Sequence, residues 1–253
     1  ANMFCMPYNP ATAGNCLGIP YMDHAETDLN PRYERGTLQE VYEMIGKDIE
    51  AGIPLIDDTA YSVPKYHFNY KAACCFASRY YLFMQDWDNA IKYATMALTS
   101  NPSSLLRDYS AIAALPNGTS RHQEYVNSAS TANFLLQAAT SNSGLLFDWY
   151  STAGRYSHGK LQGIYETVQP KKGGPWGSSV TFKAPHAVLA SSGKYVLPRT
   201  WRVFQYTDPV AGTGFNKAIS VLFTSEEALL NRAEAYIMKM NEDPTALDKA
   251  LED

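Results

Sequence analysis

Apolar residues recur every three to four positions in two parts of this 253-residue chain and lose that period between them. The first thirty-odd residues, with YNPATAGN and DHAETDLNPRYERG, carry Pro, Gly, Asn and Asp too densely for regular structure and read as loop. Thr37-x-x-Glu40 then has the form of a capping box, in which each side chain accepts from the other residue's backbone amide. Leu38, Val41, Tyr42, Ile45 and Ile49 follow on one helical face until Gly52 and Pro54 stop it. Asn69 is placed to cap a second helix reaching about Met84, whose Ala72, Ala73, Phe76, Ala77, Tyr80, Tyr81 and Met84 cover an arc wide enough to pack on two sides. Asp86 caps a third helix, WDNAIKYATMALTS, closed by Asn101-Pro102, so the pair predicts an antiparallel hairpin.

That hairpin fits the tetratricopeptide spacing at Cys74, Ala77, Ser78, Tyr81, Ala90, Ala94 and Pro102. Tyr81, Ala90 and Pro102 match the pattern, Ser78 is suitably small, and Cys74, Ala77 and Ala94 replace larger residues. Ala97 adds a small residue that lets the helices approach. A second copy opens at Thr224-x-x-Glu227 and runs through EALLNRAEAYIMKM, with Leu229, Ala233 and Tyr236 at the same offsets. Asp243 as cap and Pro244 in the first helical position begin a partner helix that stops after two turns, which predicts that the sequence is a piece of a longer protein.

The predicted class is therefore mainly α, with tetratricopeptide-like helical hairpins and a long loop-rich insertion. Residues 36–102 form a helical scaffold with one hairpin, residues 103–216 the insertion, and residues 217–253 a second, truncated hairpin. The insertion is rich in Ser, Gly, Asn, Pro and Tyr, and its short apolar pieces ANFLLQAA, KYVLP and AISVLF read as strands or half-buried segments. An excursion this long on a rigid scaffold is where function is expected.

Charge and composition remove several classes. The formal charge of −4 comes without any basic cluster longer than Lys171-Lys172, so the attraction that drives nucleic-acid binding is missing. No apolar run approaches eighteen residues, and ANMFCMPYNP lacks the basic and apolar regions of a signal peptide. Cys5, Cys16, Cys74 and Cys75 form neither a disulfide framework nor a C-x-x-C pair, and the adjacent two read as buried small apolar residues. The 18 tyrosines, against 10 phenylalanines, favour a part-wet binding surface.

Candidate chemistry is sparse. Gly154 to Lys160 has phosphate-loop spacing, but Leu161 stands where a metal-binding hydroxyl belongs, and Leu145-Leu146-Phe147 ends before the loop instead of running into it. A helix start capped by Ser157, with Leu161, Ile164, Tyr165 and Val168 on one face, fits better. Histidines 24, 67, 122, 158 and 186 are scattered without a ligand pair. Asp23, His24, Glu26 and Asp28 read as a solvated acidic loop in preference to a calcium site, and Asp57-Asp58 as a helix-terminal turn in preference to a glycosidase pair. No nucleophile motif is present, and the sequence predicts neither an enzyme nor a cofactor or metal site.

Three segments carry a family likeness: LGIPYMDHAETD followed by RGTLQEVYEMIGKDIEAGIPLI, then KAACCFASRYYLFMQDWDNAIKYATMAL, and FTSEEALLNRAEAYIMKM with Arg232, Ala233 and Glu234. Together they resemble the SusD/RagB family of Bacteroidetes outer-membrane lipoproteins. The resemblance implies a SusD-like α-α superhelix and non-catalytic glycan binding at the external face of the outer membrane. It further implies delivery of the glycan to a SusC-like TonB-dependent transporter, with membrane contact only through a lipid anchor of the full-length parent. Cys16, after Ala13-Gly14-Asn15, lacks the family's lipobox form, and the family's N-terminal helices are not recognisable, so the resemblance also implies an interior fragment. Sugars present apolar C–H faces and hydroxyl rims, which rings and planar polar groups satisfy together. On that requirement the candidate ligand-binding residues are Trp149, Tyr150, Arg155 and Tyr156 in FDWYSTAGRY and Trp176 in KKGGPWGSS. Trp87 is expected in the hairpin core, and Trp201 and Tyr206 in RTWRVFQY are expected to pack. A peptide-binding tetratricopeptide scaffold is the alternative function.

Overall fold

The computed structural model describes residues 1–27, 29, 31–141, 187–189, 194–196 and 200–253, which divide into two compact units. The first unit comprises Ala1–Ser62, Phe68–Pro102 and Ser225–Asp253, and the second Val63–His67 and Ser103–Thr224.

The first unit is helical. Leading into it, the chain runs extended: Leu17 bridges Thr37, the Gly18 amide donates to the Gly36 carbonyl at 2.8 Å, and Arg35 Nε donates to the Gly18 carbonyl at 2.5 Å. This brace delivers the chain to α1, Leu38–Gly52, through the expected capping box. The Glu40 amide donates to Thr37 Oγ1 at 3.1 Å and the Thr37 amide to Glu40 Oε2 at 2.8 Å. Two otherwise orphaned amides are thus satisfied, a cap worth about 1 kcal/mol. Leu38, Val41, Tyr42 and Ile49 are buried as the period predicts, and Ile45 is half-buried.

Helix α2 spans Tyr70–Met84, with Asn69 accepting from the Ala72 amide at 3.0 Å. It ends at Gln85, which takes the left-handed conformation (φ 63°) usually given to glycine, and Asp86 at once caps α3, Trp87–Leu98. The connection is short enough to fold α3 back along α2, as an α-hairpin requires. Cys74, Cys75, Ala77 and Ser78 are fully buried on α2, as are Ala90, Ala94 and Ala97 on α3. Side chains this small let neighbouring backbones approach closely. Burial pushes the Cys74 thiol up to about 11, which makes it inert packing material. Trp87 is half-buried, short of the core position expected for it.

Helix α6, Ser225–Lys239, packs on both α2 and α3, and α7, Ala246–Glu252, returns against α6. Arg79 of α2 clasps Glu227 of α6 with Nε–Oε1 at 2.5 Å and Nη2–Oε2 at 2.7 Å. Arg232 reaches Asp253 with Nε–Oδ2 at 2.7 Å and Thr95 Oγ1 at 3.2 Å, tying α6 to α3 and to the end of α7. The expected start of the last helix is corrected: Asp243 turns onto the Thr245 amide (3.0 Å) and hydroxyl (2.7 Å), so the helix begins after Pro244 and Thr245, at Ala246. An aspartate two residues from the amide it accepts forms a local turn that competes with capping.

In the second unit, the apolar pieces of the stretch expected to be loop-rich lie in regular structure. Its described residues contain a three-stranded antiparallel sheet of β1 (Asn133–Thr140), β5 (Thr213–Thr224) and β4 (Thr200–Asp208), in the order β1-β5-β4. A separate antiparallel pair joins β2, Ala187–Leu189, to β3, Lys194–Val196. Strand β5 crosses the boundary expected at residue 216 and runs directly into α6. Two short helices, α4 (Tyr109–Ala114, capped by Asp108) and α5 (Gly118–Tyr125, capped by Asn117), precede the sheet. Its core gathers Ile112, Val126, Phe134, Leu135, Leu136, Ala218 and Phe223. A polar knot completes it. Arg107 Nη1 donates to the Tyr125 carbonyl at 2.9 Å and Nη2 to Asn133 Oδ1 at 2.6 Å, with its guanidinium 3.9 Å from the Tyr125 ring centroid. Asn133 Nδ2 donates in turn to the Tyr125 and Asn127 carbonyls at 2.9 and 3.0 Å. These bonds offset part of the cost of burying the Arg107 and Asn133 side chains.

Candidate ligand-binding site

The five candidate ligand residues, Trp149, Tyr150, Arg155, Tyr156 and Trp176, lie outside the described residues, as do the phosphate-loop-like stretch at 154–161 and the helix expected after Ser157. The remaining candidates are placed. Asp57 Oδ1 accepts from the Thr59 amide at 2.9 Å and the Thr59 hydroxyl at 2.6 Å, capping a short 3₁₀ turn at Asp58–Ala60. These two bonds hold the Asp57 carboxyl below its ordinary range, the opposite of what a general acid needs. Asp58 Oδ1 accepts from the Tyr70 amide at 2.9 Å, so Asp57 serves a local turn, as expected, while Asp58 serves the start of α2. In the acidic loop, His24 Nδ1 lies 2.5 Å from Asp23 Oδ1, and the Tyr33 hydroxyl donates to Glu26, while Asp28 is outside the described residues. Among the described residues no three His, Cys, Asp or Glu side chains converge as metal ligands, and no helix is long and apolar enough to cross a membrane.

Two hollows of about 300 Å³ each open on the helical unit. One is walled by Tyr42, Ile45, Phe76, Tyr80 and Phe83 beneath residues Ala1 to Phe4, with Arg79 at its edge. The other is walled by Ile49, Ile53, Ile56, Phe68 and Phe76, with Asp48 at its edge. Their rim charges are engaged: Arg79 by Glu227, and Asp48 by the Tyr21 hydroxyl. Such apolar walls offer little to the hydroxyl groups of a sugar.

The β4–β5 hairpin differs. Its turn is set by Asp208, whose Oδ1 accepts from the Val210 amide at 2.9 Å and the Ala211 amide at 3.0 Å, and by Gly212 at φ 67°. Strand parity puts Arg202, Phe204 and Tyr206 of β4 on one face, spaced by about 7 Å. The register sets Asn216 opposite Phe204 and Gly214 opposite Tyr206. Phe204 and Tyr206 are 41% and 58% exposed, with centroids 4.9 Å apart and planes at 78°, an open aromatic corner. Tyr206 was expected to pack, and this is a correction. It lies toward the turn end of β4, where the exposure of the strand rises, while Trp201 near the other end is half-buried. Gly214 is required. A Cβ there would come within 2.2 Å of the Gln205 carbonyl oxygen and 2.9 Å of Tyr206 Cα, so the strands can close only without a side chain at this position. The sequence signal was the alternation Arg202, Phe204, Tyr206, but alternation alone does not say which face meets solvent.

Residues 1–82 match the family model SusD-like_3, described as starch-binding and associating with the outer membrane. Nearly the whole chain superposes on solved SusD superfamily proteins. One is from Bacteroides vulgatus (TM-score 0.51, 20% identity, covering 92% of this chain and 49% of that one). Others are from Bacteroides thetaiotaomicron (0.51, 18%, 95% and 51%) and Bacteroides fragilis (0.52, 18%, 96% and 50%). In fold, the chain is similar to these SusD superfamily proteins. It spans about half the length of those structures, and at such identities the likeness establishes fold and leaves function to the site. No curated protein matches significantly. The match to the family model covers the extended lead-in, α1 and most of α2, which is where the sequence resemblance began.

Proposed function

We propose that this protein binds oligosaccharide or polysaccharide without cleaving it, at the external face of the outer membrane, and passes it to a SusC-like TonB-dependent transporter. The observation that carries this reading is the match of residues 1–82 to a family described as starch-binding and outer-membrane-associated. The helical hairpins, read as tetratricopeptide-like, serve as scaffold, and the second unit supplies ligand contacts. Trp149, Tyr150, Arg155, Tyr156 and Trp176 belong to this proposal as candidate contacts. The peptide-scaffold alternative is less well supported, because α2 packs against α1, α3 and α6 and its small residues are consumed in those contacts.

The test is twofold. Calorimetric titration against soluble oligosaccharides, with pull-down on insoluble polysaccharides, is expected to find at least one saccharide bound and returned unhydrolysed. Affinity capture of the full-length parent from detergent-solubilised outer membranes is expected to bring down a TonB-dependent transporter. Cleaved product, or no saccharide bound by the parent, overturns the reading of function, and capture without a transporter overturns the hand-over.

A further inference from the structure

We infer that the face of the β4–β5 hairpin bearing Arg202, Phe204, Tyr206 and Asn216 is a saccharide-contacting site. The inference rests on the glycan-binding reading and gives it a place in the fold. Among the described residues, β4 is the outer strand of its sheet, bonded to β5 alone. Two large rings stand on one face of it in solvent, a placement that burial does not explain. Their near-perpendicular setting makes a corner: a pyranose laid with its C–H face on one ring has its flank against the other. Arg202 precedes the rings along β4, and Asn216 lies across from Phe204. Gly214, opposite Tyr206, lets the two strands close tightly beneath the rings.

The patch suits a sugar better than a protein partner. It is two rings wide and bordered by a cation and an amide, whereas the core of a protein interface is a larger apolar area with charge excluded. The opposite face of the hairpin supplies an internal control. Phe215, paired with Gln205, is 55% exposed there without a second ring beside it on β4.

Calorimetric titration of the full chain with malto-, cello-, xylo- and manno-oligosaccharides tests the assignment. Relative to the unaltered chain, Phe204→Ala/Tyr206→Ala is expected to weaken binding of the recognised saccharide about tenfold or more, and Phe215→Ala to change it less than about twofold. A companion variant, Phe204→Leu/Tyr206→Leu, keeps apolar bulk but removes the flat faces and is expected to lose affinity similarly, so that loss is traced to stacking and not to collapse of the hairpin. Affinity preserved in both double variants overturns this site while leaving the glycan-binding reading intact. An unaltered chain that binds no saccharide overturns both.

Discussion

The helical unit and the sheet unit use the same residue types in opposite ways. In the helices, tyrosines form a continuous internal series. Tyr8 meets Tyr42 at 4.6 Å between centroids, Tyr42 meets Tyr80 at 5.8 Å, Tyr80 meets Tyr81 at 4.8 Å, and Tyr81 lies parallel to Tyr93 at 5.4 Å. Two of the hydroxyls are satisfied inside the unit: Tyr80 donates to the Tyr42 carbonyl at 2.5 Å and Tyr81 to Glu50 at 2.8 Å. Small residues make this possible, and a Cβ added at Gly46 would sit 2.7 Å from the Tyr80 hydroxyl. On the hairpin, by contrast, Phe204 and Tyr206 meet each other and then solvent. A helix presents a neighbour to most of its circumference when three others surround it, whereas the outer strand of a sheet has far less covering it. Rings in the first setting stabilise, and rings in the second are left available for a ligand.

Three perturbations probe that contrast, in descending order of expected effect. Arg232→Ala removes a nearly buried guanidinium (side chain 11% exposed) and strands Asp253 (9%), so it is expected to destabilise the chain by about 3–5 kcal/mol in urea unfolding. A loss below about 1 kcal/mol would mean that the α6 clasp is not what joins these helices.

The second is alkaline unfolding. Burial raises the hydroxyls of Tyr80 and Tyr81 above their ordinary value of 10.0, helped at Tyr81 by the hydrogen bond to Glu50. A folded-state value above the unfolded one contributes stability that is complete below the unfolded value and is lost as pH rises from there through the folded value. Circular dichroism followed against tyrosinate absorbance is therefore expected to show helix lost together with ionisation above pH about 10, with a shallower pH dependence in Tyr81→Phe. Ionisation of the whole set with helix intact would break the contrast from the helical side.

Third, Phe204→Ala and Tyr206→Ala are each expected to change stability by about 1 kcal/mol or less in thermal unfolding, because exposed rings contribute little to the folded core. A large loss would make them packing residues after all.

Much of the helical unit was legible because its signals are local. The capping box at Thr37 and Glu40, the caps Asn69 and Asp86, and the apolar period of α1 and α2 act within one or two turns of their own residues, and each appears where it was read. The helices α4 and α5 escaped notice although Asp108 and Asn117 are ordinary caps, because six and eight residues are too few to display a period. KYVLP, ANFLLQAA and AISVLF contain strands, but nothing in them says that β1 and β4 both pair with β5. Register is set by cross-strand neighbours, distant in the chain. The Arg79–Glu227 clasp is out of reach for the same reason: a capping-box reading accounts for Glu227 locally and does not reveal a guanidinium 148 residues away.

What the sequence determined by itself was where helices start and stop, that Cys74, Cys75 and the alanines around them lie inside, and a resemblance strong enough to anticipate a SusD-like fold. The tertiary structure alone decided which aromatic residues are core and which are surface. Ring exposure depends on what packs against each face of an element, and in this chain the α2 tyrosines and the β4 rings have equally apolar side chains in equally regular patterns. Only the neighbours brought in by the rest of the fold separate them.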